Sequence, residues 1–367
     1  MRNLFKELGY DEIEVTKRLD NIIGRMFYGA EGEKIYYTVK GDMGYVMDTG
    51  NYDVRSEGMS YAMMVFVQLD MKVEFDRIWK WAKTYMYLEE GENKGYFAWS
   101  VDPSGKKNSY GPAPDGEEFF AMALFFAANR WGNGDGIFNY TREAKDLLSV
   151  CIHKGENGQP GMPMWEPSNK LIKFVPNLDF SDPSYHLPHF YSLFAKWGNE
   201  EDRQFWLEAT KASRDYLIKS CHEKTGLAPE YATYEGEPKN YKNHHLFYSD
   251  SYRVAANIGL HALWMGHDEA LAKCNERLQT FFCETVKGKD DYVYEVDGTG
   301  IDEKVLHPVG LIATNAMASL ATSGDYSKEC VKRFWDTPLR EGERRYYDNF
   351  LYLFAFMALS GRYIIWE

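Results

Sequence analysis

Three acidic residues each open a long apolar stretch of the chain. Glu57 does so in Asp53-Val54-Arg55-Ser56-Glu57-Gly58-Met59-Ser60-Tyr61, Asp115 in Asp-Gly-Glu-Glu-Phe-Phe-Ala-Met, and Asp250 in Asp-Ser-Tyr-Arg-Val-Ala-Ala-Asn. A carboxylate at a helix start is stabilised by the macrodipole and by unpaired N–H groups, so each charge alone suits its position with no further role. Recurrence changes that reading, because three acidic helix starts describe one shared rim. Two such groups suffice to cut a glycosidic bond: a carboxylic acid protonates the leaving oxygen, and a carboxylate attacks or activates water. Glu57 stands among Met59, Tyr61, Met63 and Met64, surroundings that disfavour the charged form and suit a proton donor. Asp250 lies one turn before Arg253, and a nearby cation favours the ionised form that a base requires. Asp-Gly-Glu-Glu also reads as an N-cap, with Glu118 completing a capping box behind Asp115. The approach Gly111-Pro112-Ala113-Pro114 fixes the direction of Asp115 in either role.

Other constellations carry less. His186 and His189 are three apart and His244-His245 are adjacent, but no third ligand stands at metal spacing, so these are expected to be core or loop histidines and no metal is expected. Gly132-Asn133-Gly134-Asp135-Gly136 follows no strand and is expected to be a flexible loop; no phosphate-binding loop or Gly-x-Ser-x-Gly elbow is present, and no cofactor is expected. Trp99, Tyr110, Trp165 and Tyr185 lie in or just after long polar loops, where rings either pin the loop or stack on sugar faces. Trp99 is the residue expected to stack.

The elements that must hold these residues are helical. Asp11 to Phe27 shows an amphipathic period, 57–69 is apolar nearly all round, and 74–87 is amphipathic again. The alternation continues with apolar stretches near 115–130, 184–197, 249–265, 309–322 and 347–360, and amphipathic ones near 141–154, 203–220, 268–284 and 326–335. Six buried helices ringed by six half-exposed ones satisfy a closed all-α toroid, an (α/α)6 barrel, expected as one domain over residues 1–367. An open solenoid would need a more constant repeat. The links 88–114, 155–183, 222–247 and 285–306 are long and carry Gly, Pro, Trp and Tyr, including a hairpin over 96–105. They lead into the starts of the buried helices, so Glu57, Asp115, Tyr185, Asp250, His307 and Tyr347 are expected on one face.

Composition narrows the ligand. The chain has 367 residues, 16% of them aromatic, and a formal net charge of −13 with a pI near 5.3. That balance argues against a nucleic-acid backbone or an anionic membrane surface as partner and favours a neutral ligand. Five scattered cysteines without CxxC spacing are expected to be reduced core thiols. The amino-terminal residues show no continuous apolar run and no stretch has the length of a membrane span, so a cytoplasmic location is expected.

Taken together, the Arg-Ser-Glu-Gly-Met-Ser-Tyr, Pro-Ala-Pro-Asp-Gly-Glu-Glu and Ser-Asp-Ser-Tyr-Arg-Val stretches resemble glycoside hydrolase family 8, inverting enzymes on an (α/α)6 barrel that cut β-1,4-linked glucans, xylans and chitosan. The nearest likeness within the family is to its reducing-end xylose-releasing exo-oligoxylanases. It is carried by Asp-Pro-Ser-Tyr-His-Leu-Pro-His-Phe-Tyr (182–191), Leu-His-Pro-Val-Gly-Leu-Ile-Ala-Thr-Asn-Ala (306–316) and Arg-Arg-Tyr-Tyr-Asp-Asn (344–349). The resemblance implies Glu57 as general acid, Asp250 as general base and Asp115 as a binder of the distorted sugar. It implies that Tyr185 helps place the water, Arg253 steadies Asp250, Trp99 stacks on the non-reducing side, and Tyr347 joins the substrate-binding rim. Leu306, His307 and Pro308 resemble a wall closing the other end of the cleft. Tyr110 departs from the pattern, standing where a Trp is expected. The implied substrates are xylooligosaccharides of two or more residues. Competing readings are an endo-acting xylanase or glucanase of the same family, a sugar epimerase, which would rest on paired rim histidines, and a non-catalytic sugar-binding protein, which would need no acid and base.

Overall fold

A computed structural model describes residues 2–287, 289 and 291–367; within the link 285–306, Gly288 and Asp290 lie outside the described residues. The helices are α1 (Leu4–Glu7), α2 (Glu12–Tyr28), α3 (Ser56–Gln68), α4 (Lys72–Trp81), α5 (Pro114–Trp131), α6 (Tyr140–His153), α7 (Pro188–Trp197), α8 (Arg203–Ser220), α9 (Tyr252–Met265), α10 (Glu269–Thr280), α11 (Pro308–Met317), α12 (Asp325–Asp336) and α13 (Arg345–Leu359). Among the described residues, six short strands form three antiparallel pairs: β1 (Tyr36–Val39) with β2 (Met43–Val46), β3 (Val54–Arg55) with β4 (Ser100–Val101), and β5 (Tyr292–Tyr294) with β6 (Gly300–Lys304). No helix among the described residues is long and apolar enough to cross a membrane.

The alternation expected from periodicity is present element by element. Every residue of α3 but Glu57 is buried, and α13 is buried throughout, whereas α4 buries only Phe75, Ile78, Trp79 and Trp81. Apolar side chains on all faces require cover on all faces, so odd-numbered helices from α3 onward are interior and even-numbered ones present one face to solvent. Several ends differ from expectation for local reasons. Pro183–Tyr185 is a separate 3₁₀ turn before α7, because Leu187 precedes Pro188 and is driven out of the helical region. Ser249–Ser251 is likewise a 3₁₀ turn, held by reciprocal bonds between Tyr248 and Ser251, and α9 starts after it. After α4 and α10 the chain continues in π-helical turns, Ala82–Met86 and Phe281–Thr285, which account for the extra turn in the amphipathic patterns there.

The chain divides into two compact units. One comprises Met26–Leu178, Phe190–Ala209 and Ile365–Glu367. Here α3 packs on α4 and α5, and α5 on α6, around rings such as Trp79, Phe97 and Phe120. The other comprises Met1–Arg25, Asp179–His189 and Thr210–Ile364. Here α11 packs on α9, α12 and α13, with a core that includes Phe247, Tyr252, Phe281, Tyr294 and Leu311. Gly259 lets α9 meet the end of α11: a Cβ there would overlap the Met317 carbonyl oxygen and lie 2.9 Å from its carbon.

The segment before Glu57 holds β1, β2 and β3, which have no counterpart in the helical pattern read from the sequence. The turn Lys40-Gly41-Asp42 between the first two has positive φ at both Gly41 and Asp42, and strands of four residues are too short for alternation to stand out. The hairpin expected over 96–105 is displaced by a few residues. Its turn falls at Asp102 to Lys106, where Asp102 N–H donates to the Lys106 carbonyl at 2.8 Å, and its arm Ser100–Val101 also pairs with β3.

Candidate active site

Glu57 is the second residue of α3, and the strand before it determines where it points. Val54 and Arg55 pair with Val101 and Ser100, and the Ser56 N–H donates to the Trp99 carbonyl at 3.0 Å. Asp53 accepts the Ser100 hydroxyl at 2.5 Å, while the Arg55 Nε lies 3.1 Å from Asp53 and 3.2 Å from Asp48. The Arg55 guanidinium also lies 5.4 Å from the centre of the Trp99 ring. Trp99, whose N–H donates to the Gly111 carbonyl at 3.0 Å, is thus pinned by backbone on both sides and keeps 38% of its surface exposed. Tyr110 is also exposed, whereas Trp165 is buried at 1% against Tyr191 and Trp206. Of the two roles open to Trp165, the structure supports packing.

Asp115 reaches Glu57's helix start through a glycine. A Cβ on Gly116 would stand 2.6 Å from the Ser56 Oγ and 3.2 Å from the Ser56 carbonyl carbon, so the first turns of α3 and α5 touch only because that position is Gly. Asp115 is not an N-cap: Pro114 opens the helix, Ala113 is the cap residue, and the buried Asp115 carboxylate accepts its neighbour Gly116 N–H at 2.9 Å. Nor does Glu118 close a capping box, because its carboxyl accepts the Tyr191 hydroxyl at 2.5 Å. Behind both lies Glu117, fully buried, accepting the Phe97 N–H at 2.9 Å. Burial pushes its carboxyl up to about 8 against the pull of that N–H.

In the other unit, Asp250 sits in the turn before α9 and Arg253 follows one turn on, with its Nη2 at 3.4 Å from the Asp250 carboxylate. The guanidinium lies 5.6 Å from the Tyr185 ring centre and 5.9 Å from that of Tyr347, and the Tyr347 hydroxyl donates to the Ser249 carbonyl at 3.3 Å. Four of the residues singled out from the sequence therefore meet around one ion pair. Two further carboxyl groups, not anticipated, adjoin it. Asp182 is fully buried and accepts the Ser184 N–H at 2.8 Å; burial and then the Asp250 charge push it well above the usual carboxylate range. Glu230 is also buried and lies 2.8 Å from the His244 Nδ1. Burial raises its carboxyl, and the bond to it holds His244 above the usual imidazole range. His186 behaves as the sequence suggested: it is a core residue between the Ser181 and Ser213 hydroxyls, stacked on Tyr216 and pushed down to about 3 by burial.

His307 is held from one side. Its Nδ1 lies 3.0 Å from the Asp348 carboxylate, whose other oxygen accepts the Gly310 N–H at 2.7 Å. Arg340 approaches Asp348 at 3.4 Å and donates to the Leu306 carbonyl at 3.2 Å. A carboxylate only accepts, so Nδ1 carries a proton, and in the neutral tautomer of the ring Nε2 is the acceptor. The ring packs edge-on to Tyr347 at 4.8 Å between centres. Among the described residues, no cluster of three His, Cys, Asp or Glu side chains is placed to hold a metal.

The chain is similar to known proteins along most of its length. The model for glycosyl hydrolases family 8 matches residues 33–361. A reducing end xylose-releasing exo-oligoxylanase of Halalkalibacterium halodurans is 59% identical over 100% of this chain and 94% of its own length. The reducing-end xylose-releasing exo-oligoxylanase Rex8A of Paenibacillus barcinonensis is 56% identical over 99% of this chain and 96% of its own. Crystal structures of an Asp-to-Asn and a Tyr-to-Phe variant of such an enzyme, each 58% identical, superpose with a TM-score of 0.97 over 100% of this chain and 97% of theirs. With its alternating helices and a family match along most of its length, the chain belongs to glycoside hydrolase family 8 and has that family's (α/α)6 barrel fold.

Proposed function

We propose that this glycoside hydrolase removes single xylose units from the reducing end of β-1,4-xylooligosaccharides of two or more residues, with inversion. Glu57 protonates the leaving oxygen, and Asp250, paired with Arg253, takes a proton from the attacking water. Asp115 grips the sugar at the cut, Tyr185 places the water, Trp99 stacks on the non-reducing side, and Tyr347 and Arg253 frame the base. The spacing of the two positions altered in the solved relatives supports this assignment: they stand as far apart as Tyr185 and Asp250.

The observation that carries the reducing-end assignment is the anchoring of His307. Asp348 fixes the ring's tautomer and Arg340 fixes the Leu306 carbonyl, so Leu306, His307 and Pro308 form a rigid stop with an acceptor facing a terminal anomeric hydroxyl. The net charge of −13 suits a neutral sugar and repels nucleic acid and anionic membranes. Five cysteines held as thiols fit a cytoplasmic site of action. Matches along the whole chain support one catalytic domain over residues 1–367. The test is xylotriose labelled at its reducing end: labelled xylose and unlabelled xylobiose are expected, and labelled xylobiose as an early product would overturn the assignment.

A further inference from the structure

We propose that Cys283 and Cys330 form a thiol modification site, closed reversibly to a disulfide by low-molecular-weight disulfides that carry carboxylates. Cys283 lies in the π-helical turn after α10, Cys330 in the middle of α12, and their sulfurs are 3.7 Å apart. A disulfide needs about 2.0 Å, so closure requires the two sulfurs to approach by roughly a further 1.7 Å. Cys330 is buried and Cys283 is half-buried, and both line a cavity of about 320 Å³. The cavity wall suits a zwitterionic thiol reagent. Lys287 and Arg333 offer cations for carboxylates, Glu329 offers an anion for an ammonium group, and Asn315, with its side-chain Oδ1, is among the lining residues. That oxygen accepts no hydrogen bond from the described protein groups, and Asn315 is only 5% exposed. A buried acceptor of this kind favours a ligand that brings an N–H donor.

The order of events follows from exposure and acidity. Its contact with the Cys283 thiol, and burial, push the Cys330 thiol well above the usual range, so Cys283 is the first sulfur to react. Having lost its proton to water, the Cys283 sulfur attacks one reagent sulfur, the reagent S–S bond breaks, and the far half leaves as a thiolate. Cys330 then attacks the Cys283 sulfur of the mixed disulfide, loses its own proton, and expels the second half as a thiolate. The two protons return to the released thiolates. One protein S–S bond replaces two protein S–H bonds, and one reagent S–S bond becomes two S–H bonds, so the protein loses the two electrons that the reagent gains. The new bond would enclose β5, β6, the segment 306–308 and α11, tying the end of α10 to α12. In a reducing compartment the pair rests as thiols and closes only when disulfides accumulate.

The test treats the full chain with glutathione disulfide and maps its peptides without reduction. A cross-linked peptide containing Cys283 and Cys330 is expected, with a rise of roughly 2–5 °C in melting temperature that dithiothreitol reverses. Cys330→Ser should trap the glutathione adduct on Cys283, while Cys283→Ser should leave Cys330 unmodified on the same timescale. Cys330→Ala replaces Cys330→Ser if a buried hydroxyl unfolds the chain, and circular dichroism checks both. Absence of the cross-link, an adduct on Cys283 that persists in the wild type, or failure of the Cys330 variants to trap an adduct would each overturn the proposal.

Discussion

Asp250 shares its surroundings with two buried carboxyl groups, and Arg253 faces it at ion-pair distance. Burial and then the Asp250 charge push the Asp182 carboxyl well above the usual carboxylate range, which lessens the negative charge gathered around Arg253. Asp250 is the least buried of the three, with its side chain 33% exposed, so it is the one most open to water. Removing either proposed participant should therefore remove chemistry and leave the fold: Glu57→Ala and Asp250→Ala are each expected to lose at least 10²–10⁴-fold in turnover of xylotriose. With xylobiosyl fluoride, whose leaving group departs without a proton, Glu57→Ala should recover much of its rate and Asp250→Ala should not. Equal behaviour of the two variants on the fluoride would end the division of roles. Glu117 gives a second expectation, for stability. Its folded value near 8 lies above the unfolded carboxyl value near 4.3, so the folded state binds the extra proton in that window. Stability is thus full below the unfolded value and falls as pH rises from there through about 8, by on the order of 5 kcal/mol. Glu117→Gln keeps an acceptor for Phe97 and carries no charge. Melting curves from pH 5 to 8 should show the variant gaining on the wild type as pH rises, and a constant difference would show that Glu117 does not titrate there.

The helices that carry these residues were legible because each buries its faces in a fixed pattern, and pattern survives without any knowledge of neighbours. All six apolar and six amphipathic stretches became helices, and the differences arose where a proline or a short turn intervened, as at Pro188 and Ser249–Ser251. The strands before Glu57 were not legible, since β1, β2 and β3 are too short to show a period. Nor was the reach of side chains across the fold. Asp182 and Asp348 lay within the stretches that carried the family resemblance, Asp-Pro-Ser-Tyr and Arg-Arg-Tyr-Tyr-Asp-Asn, yet nothing local says that one adjoins Asp250 and the other orients His307. Glu230 stands in a loop without period, and only folding brings it to His244. Close approach of helices is a further feature with a faint signal, a glycine inside an apolar run. Gly259 is such a case, with the Met317 backbone against it, and backbone cannot rotate away as a side chain can. Gly259→Ala should force α9 and α11 apart, costing about 1–3 kcal/mol or more, and should lower turnover beyond that loss because Asp250 precedes one helix and His307 the other. A variant with wild-type melting temperature and rate would mean that the two helices yield without strain.

For the molecule as a whole, the property to explain is which end of which substrate it takes. A chain with a net charge of −13 gains nothing from charge attraction to a neutral oligosaccharide, so selection must rest on shape and on hydrogen bonds placed at the limits of the binding surface. The limit proposed here is the segment 306–308, where Pro308 opens α11 with its fixed φ, Arg340 holds the Leu306 carbonyl, and Asp348 holds the His307 ring. An acceptor nitrogen rewards a hydroxyl that can donate to it and is left unpaired by a methylated or otherwise blocked terminus. The wild type should accordingly release xylose singly, ignore oligosaccharides whose reducing end is reduced or glycosylated, and attack polymeric xylan only slowly. His307→Ala should slow the cleavage of free xylotriose and narrow the gap between free and blocked substrates, because the acceptor that discriminates them is gone. Asp348→Asn tests the anchoring separately: an amide can donate to Nδ1, shifting the neutral ring's proton to Nε2 and turning the acceptor into a donor. It should reproduce the loss of discrimination with the ring still present. Rates and discrimination unchanged in both variants, measured as kcat/KM on free and blocked xylotriose, would place the preference for the reducing end elsewhere in the chain.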